Sequence, residues 1–463
     1  MVAQKAPGSM GLDFTSGPIM PMLMRFLLPF LLANLLNSIY NTIDTIIVGR
    51  FMGSVGIVAV SLGGKMLNLF TNVGLGFAGG GQILISQLAG AKRREEYNAS
   101  IGTLFTATFT FAAVLAAATL VLSSRIIGWL NTPQESVTEA LAYLRITCIG
   151  LPLIFGYNAV SSVLRGMGDS KSPLAFIALA AVVNLVGDIV FIVCFQMGAA
   201  GTAVATVLGQ GISLGLSVLV LYRKRERFGF DFRPQSFIVD WEKLRIILKL
   251  GLPMALQAGC ITGTQLVMMG YVNLCGLVES AAYSIGDKAY HLANIFTTSV
   301  KQAGGSMVGQ NIGADRYDRV KTIVRDIAIV TLIAACLLSA VSLLFPEEIF
   351  GLFTSDVGVI AYSHVFMRIC CLIFFLSAVM ITFDCVVVGT GNAKLGLIAG
   401  ILDGVVLRVC FSFLFAYTFD MGVVGFFLAD ALARIAPLLV GGSYYYSGAW
   451  KRRKKLLRDK DQT

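Results

Sequence analysis

Apolar residues fill runs of roughly 20 or more along almost the whole chain, separated by short polar, charged or glycine-containing segments. A run of that length crosses a hydrocarbon core about 30 Å thick as an α-helix. The pattern predicts apolar helices near 20–49, 55–84, 99–124, 136–164, 172–196, 199–222, 245–272, 277–306, 322–345, 357–388, 395–418 and 421–447. One soluble domain with a single anchor is excluded, because no long stretch of ordinary polar–apolar balance remains. The fold class expected is an all-α integral membrane protein of twelve transmembrane helices.

Composition agrees: 56% of residues are hydrophobic and 13% charged, with a mean hydropathy of +0.78, outside the balance of a soluble domain. No cleavable signal peptide is expected, since the first apolar run carries Asn34, Asn37, Asn41 and Asp44 and no small-residue cleavage site. The nine cysteines lie mostly in apolar runs without Cys-x-x-Cys spacing, and His291 and His364 are the two histidines. They read as free thiols, and neither zinc nor haem has a ligand set. No cofactor is expected beyond a coupling ion.

The net charge of +10 matters by its location. Even-numbered connections carry Lys92, Arg93 and Arg94; Arg165 and Lys171; Arg223, Lys224, Arg225, Arg227 and Arg233; Arg316, Arg319 and Lys321; and Lys394, while the tail adds Lys451 to Lys455. Odd connections hold Arg50 and Arg125 and are otherwise acidic or neutral. The positive-inside rule then places both termini and the central loop in the cytoplasm of a multi-pass protein of the cell membrane. These basic runs lack an interleaved aromatic platform, so no nucleic-acid partner is expected.

The chain repeats itself. Ser61-Leu62-Gly63-Gly64-Lys65 recurs as Ser284-Ile285-Gly286-Asp287-Lys288, at an offset of 223 (288 minus 65). Gln87–Ala91 recurs as Gln310–Ala314, Tyr143–Ile146 as Phe366–Ile369, and Gly166–Lys171 as Gly389–Lys394, all at 223. Duplication of a six-helix unit predicts two parallel bundles related by a pseudo-two-fold axis along the membrane normal, an arrangement suited to alternating access. The organisation expected is an N-terminal bundle over 1–222, a basic linker over 223–244, a C-terminal bundle over 245–447 and a basic tail over 448–463. The glycine-rich repeated segments read as tight turns at helix ends, and no Gly-Lys-Ser/Thr phosphate loop follows them.

Charged residues inside a span are functional candidates by default. Asn34, Asn37, Asn41 and Asp44 recur at intervals of three and four, so they share one helix face. Asn184 and Asp188 share a face of the fifth helix, and Thr206 of the sixth adds an oxygen. Asp44, Asn184, Asp188 and Thr206 together suit a proton or a sodium ion, and Pro29 weakens the helix ladder upstream of Asp44, marking a hinge. Asn34, Asn37, Tyr40, Asn41, Asn158, Gln257, Gln265 and Met268 are candidates for a substrate cavity, Met268 because thioethers repack around varied shapes. In the second half the positions 223 after Asn184 and Asp188 are Leu407 and Phe411. Its ionisable residues Asp384, Asp403 and Arg408 read as a structural or gating network, although Asp403 and Arg408 are five apart, a poor spacing for pairing along an α-helix.

Gly309-Gln310-Asn311-Ile312-Gly313-Ala314, its weaker copy Gln87–Ala91, and Gly166-x-Gly168-Asp169 carry a resemblance: over essentially its whole length the chain resembles the multidrug and toxic compound extrusion (MATE) family. The resemblance implies export of amphipathic, often cationic compounds in exchange for protons or sodium ions. In the DinF-like branch a first-helix Asp, a fifth-helix Asn-x-x-x-Asp, a sixth-helix Thr and a first-helix proline form the cation-responsive site, matched here by Asp44, Asn184, Asp188, Thr206 and Pro29. The NorM-like branch adds acids in the seventh and tenth helices. The seventh helix here, Gly251 to Tyr271, has none.

The expectation is thus a monomeric antiporter of small organic molecules working in the lipid bilayer. Two rivals differ in what they require. A lipid-linked oligosaccharide flippase of the same superfamily needs a wide basic cavity, whereas these spans present acids and amides. A membrane enzyme such as a prenyltransferase needs paired Asp-x-x-Asp or Asp-x-x-x-Asp motifs for magnesium, absent from the spans.

Overall fold

The computed structural model describes residues 11–129 and 132–452. Its elements are helical: α1 Ile19–Gly90, α2 Tyr97–Trp129, α3 Val137–Gly166, α4 Lys171–Asp188, α5 Ala199–Arg223, the short α6 Arg225–Phe228, α7 Trp241–Asn273, α8 Leu277–Gly313, α9 Tyr317–Leu344, the short α10 Pro346–Gly351 and α11 Val357–Ile360, α12 Ser363–Gly389, α13 Ala393–Ile401, α14 Arg408–Phe413, α15 Gly422–Ala433, α16 Ile435–Tyr446 and α17 Ala449–Arg452. Among the described residues, ten stretches are long and apolar enough to span a bilayer. The second half of α1 and the more polar α8 bring the spans to twelve. The first two predicted spans both fall within the helical stretch α1, whose 72 residues are enough for two spans of about 20 residues each.

The described residues divide into two compact units, one within residues 1–13 and 25–255 and the other within 14–24 and 256–463. In the first, α3 packs against α2 and α5, and α4 packs against α5. Val48, Phe70, Ala116, Leu144, Leu151, Phe155 and Ala203 are among the residues that make its core. In the second, α12 is the hub, packing against α8, α9, α15 and α16. Phe350, Phe366, Phe374 and Phe427 fill that core, together with Met268 and Val272 of α7.

The central linker is more than a charged connection. Phe228 and Phe230 are buried, and Phe230 meets Phe105, Phe232 and Phe237 edge-on. Thr106 Oγ1 donates to the Phe237 carbonyl at 2.7 Å, and the Asp240 amide donates to Thr103 Oγ1 at 2.9 Å. Phenylalanines do lie between the linker cations, contrary to the expectation from sequence, but Phe228 and Phe230 are buried, and the cluster anchors the linker to α2. Asp231 accepts from Ser236 Oγ at 2.6 Å, which holds its carboxyl below the usual carboxylate range.

The repeated motifs start helices. Gly168 has φ 86° and Gly391 φ 68°, a conformation glycine adopts freely. Asp169 Oδ1 then accepts from the amides of Lys171 and Ser172 at 3.0 and 3.1 Å, and Asn392 Oδ1 accepts from Leu395 at 3.4 Å. These bonds satisfy orphan donors at the starts of α4 and α13. In the second unit the other motif holds the segment before α1: the Phe14 amide donates to Gln310 Oε1 at 3.1 Å, and Asn311 Nδ2 donates to the Phe14 carbonyl at 3.1 Å.

The repeat also slips by one residue. Gly168 and Gly391 are 223 apart, but beyond them Gln196 and Asp420 share φ 53° at an offset of 224 (420 minus 196), and Gly198 and Gly422, φ 63° and 54°, are again 224 apart. Between these landmarks the second unit contains a π-helical stretch, Leu402–Leu407. The first unit's π-helical stretch, Ile189–Cys194, corresponds to Leu414–Thr418. Leu402–Leu407 is therefore an extra wide turn that absorbs one inserted residue.

Candidate cation site

The first unit brings Asp44, Asn184, Asp188 and Thr206 together. Asn184 and Asp188 lie one turn apart on α4, both buried, with Asp188 wholly inaccessible. Small residues let α5 approach that face: a side chain on Gly209 would meet the Ala180 carbonyl at 2.8 Å. Thr206 thereby reaches Asn184, whose Nδ2 donates to Thr206 Oγ1 at 3.2 Å. From α1, the buried carboxyl of Asp44 faces Asp188 and Asn184 closely enough to interact directly. Both carboxylate oxygens of Asp188 and Oδ1 of Asn184 are buried without a hydrogen-bond donor. Ionised carboxylates only accept, so this cluster has several acceptors turned on one another and lacks a positive charge among the described residues.

Tyrosines wall the site. Tyr40 lies beside Asp44, Tyr157 and Gln210, and Tyr143 lies within electrostatic reach of Asp44 and Asp188. Tyr157 donates to the Pro173 carbonyl at 3.1 Å. In the sequence Tyr143 stands out only for its place in the repeat, which carries no signal of a role at the site. Asn34 and Asn158 are half-buried and Asn37 is exposed, while the side chain of Asn41 lies outside the described residues.

Pro29 sits inside α1, followed by buried Phe30. Arg165, counted in the sequence as a connection cation, is in fact buried. Its guanidinium lies 5.2 Å from the centroid of the Phe30 ring, and it donates to Gln82 Oε1 at 3.2 Å and Ser162 Oγ at 2.8 Å. Placement at the last turn of α3, packed against α1, explains the discrepancy: a helix-end cation can turn inward as readily as outward.

The second unit is built otherwise. Once the extra π turn is counted, the counterparts of Asn184, Asp188, Thr206 and Gln210 at an offset of 224 are Arg408, Ser412, Asp430 and Arg434, all buried like their partners, instead of Leu407 and Phe411. Arg408 pairs with Asp430 and approaches Asp403 at 3.6 Å. Arg434 Nη1 is 3.3 Å from Asp430 Oδ2 and lies 4.6 Å over the Tyr290 ring. The five-residue spacing of Asp403 and Arg408, unsuited to an α-helix, matches the i→i+5 hydrogen-bond span of the π-helix Leu402–Leu407 that contains Asp403. Asp384 does not join this network; it pairs with Lys301 at 2.6 Å. Of the cavity candidates, Met268 is buried in the core, Gln257 is packed closely on Gly400, and Gln265 is exposed.

Two bundles of membrane-spanning helices with acids enclosed in each, and no soluble domain between them, define a polytopic transporter. The comparisons make this specific: the MatE family model matches residues 29–190 and again 253–434, and the chain belongs to that family. It is 30% identical over 444 residues to the probable multidrug resistance protein YpnP of Bacillus subtilis (strain 168), covering 96% of this chain and 98% of the relative. It is 26% identical to the probable multidrug resistance protein NorM of Thermotoga maritima, covering 82% of each. The fold matches a solved structure titled "Crystal structure of MATE in the straight conformation" with a TM-score of 0.88, covering 96% of this chain and 100% of that one at 21% identity. The protein is a transporter, not an enzyme.

Proposed function

We propose that this chain is a secondary antiporter of the DinF-like kind that exports amphipathic, cationic compounds across the cell membrane in exchange for protons or sodium ions. It works as a monomer with both termini in the cytoplasm and needs no cofactor beyond the coupling ion. The observation that carries the reading is the Asp44–Asp188 pair: two buried carboxyl groups facing each other, with the oxygens of Asp188 lacking donors. A proton on one carboxyl supplies the missing donor. A sodium ion also fits, because Asp44, Asp188, Asn184 Oδ1 and Thr206 Oγ1 offer only oxygen, the chemistry a hard cation takes. Loading neutralises the repulsion and lets α1 move against α4; Pro29 supplies the weak point at which α1 bends. Each charge moving down 100 mV releases about 2.3 kcal/mol, enough for roughly a fiftyfold gradient of substrate.

The test is efflux of ethidium from proteoliposomes with the proton and sodium gradients imposed separately. One gradient is expected to drive export by the wild type, and Asp44→Asn should reduce gradient-driven export to the protein-free background while insertion and folding persist. Undiminished driven export by Asp44→Asn would overturn the coupling role.

A further inference from the structure

The start of α7 has two unlike faces. Ile247 and Leu250 are buried, and Gly251 lies so close to α1 that a side chain there would meet the Phe77 carbonyl oxygen at 2.8 Å. On the same side Lys243 is buried and paired with Glu96, while the Asp240 amide, one residue before the helix, donates to Thr103. These contacts fix the first turns of α7 to the first unit from one side only.

The opposite face is uncovered. Trp241, Arg245, Leu248 and Leu252 follow at intervals of four, three and four, and Lys249 stands one turn after Arg245, so all five project away from Ile247 and Gly251. Trp241 is 78% exposed, Leu248 39% and Leu252 51%, and Arg245 and Lys249 are exposed as well. Neither cation has an ion pair or hydrogen bond among the described residues. Glu242, the exposed acid at the first turn, pairs with neither. Cations on a helix face usually point into water, but here they alternate with apolar side chains at the end of a membrane-spanning stretch, Trp241–Asn273. From Trp241 to Leu252 the helix rises about 16 Å, which carries this face from the headgroup level, where tryptophan settles, into the hydrocarbon.

We propose that this face binds an anionic phospholipid. The phosphodiester lies between the Arg245 guanidinium and the Lys249 ammonium, both long enough to reach back to the headgroup level; the glycerol region meets Trp241, and an acyl chain runs along Leu248 and Leu252. Charge selects the lipid. A phosphodiester with an uncharged headgroup brings one negative charge to two unpaired cations, whereas a choline headgroup adds a positive charge that they repel. The bound lipid completes a clamp: Glu96 and Thr103 hold the start of α7 from the protein side, and the lipid holds it from the bilayer. The proposal needs the membrane but neither Asp44 nor the coupling ion, so it stands or falls apart from the antiporter reading.

Trp241 itself reports the outcome. In the full chain carrying Trp129→Phe and Trp450→Phe, Trp241 is the remaining tryptophan. The protein is placed in vesicles in which either phosphatidylglycerol or phosphatidylcholine is brominated in the upper acyl chain, so that a lipid seated against the indole quenches it. Each cation near an anionic headgroup is worth roughly fivefold in lipid preference. Brominated phosphatidylglycerol should therefore reach half-maximal quenching at a mole fraction at least about tenfold below that of phosphatidylcholine. Combining Arg245→Gln with Lys249→Gln should bring the two lipids to within about twofold, whereas Arg245→Lys with Lys249→Arg should keep the preference, separating charge from misfolding. Equal quenching by the two lipids, a preference that survives the double glutamine substitution, or quenching by neither lipid, as when a second copy of the chain covers this face, would each overturn the proposal.

Discussion

The two units carry the same helix plan and opposite electrostatics. In the first, Asn184 bonds Thr206, and the adjacent carboxylates Asp44 and Asp188 face each other without a fixed positive charge. In the second, the corresponding positions hold Arg408 and Asp430, which pair with each other and with Arg434 and Asp403. A site whose countercharge is missing can be loaded and unloaded. A site whose countercharge is a tethered guanidinium is permanently filled, and serves to fix α14, α15 and α16 in register. The comparison teaches that an acid in a membrane span is a candidate for ion exchange only where its countercharge is absent.

Substitutions can break that contrast. The largest expected effect is on transport: Asp188→Asn, like Asp44→Asn, should abolish gradient-driven efflux while leaving thermal stability in detergent equal or higher, since it relieves a repulsion. Arg408→Met should do the reverse to stability. It leaves Asp430 and Asp403 undercompensated in the interior, and removing one partner of a buried pair costs about 3 to 5 kcal/mol, read as a large drop in melting temperature; an unchanged melt would mean the network carries no structural load. Thr206→Val takes from Asn184 Nδ2 its acceptor, an effect of about 1 to 3 kcal/mol, and should sharpen the comparison by altering cation affinity in the first unit alone. The smallest effect concerns the linker. Because Asp231 is held below the ordinary carboxylate pKa of about 4, its ionised form favours the docked linker; that contribution is present above the unfolded value and lost as the pH falls through the folded one. Limited proteolysis between α5 and α7 should therefore quicken only at strongly acidic pH, and Asp231→Asn should remove that acid-side change.

Much of this was legible in the sequence. The twelve spans follow from apolar run length, and the first-unit cluster from intervals of three and four, because α1, α4 and α5 keep α-helical periodicity through Asp44, Asp188 and Thr206. The second unit defeated the same reasoning at one point. A single inserted residue, taken up by the π turn at Leu402–Leu407, shifts every later counterpart by one, so Leu407 and Phe411 stood where Arg408 and Ser412 belong. The pairing of Asp384 with Lys301 joins α12 to α8 and has no local signal. Arg165 looked like a surface cation because charge counting records which connection a residue is near, not the direction its side chain takes. The polar stripe of α8, with Asp287, Tyr290, Asn294 and Lys301 at intervals of three, four and seven, is hidden when hydropathy is averaged over the span.

The glycine turns at Gly168 and Gly391 have a historical implication. After duplication, each copy retained the instruction that ends one rod and begins the next, down to an acidic or amide side chain that receives the first free amides of the new one. What lay between those hinges was left free to diverge, so one descendant keeps acids without a fixed countercharge while its sibling turned the corresponding chamber into a rivet. Gene doubling here preserved punctuation and released vocabulary.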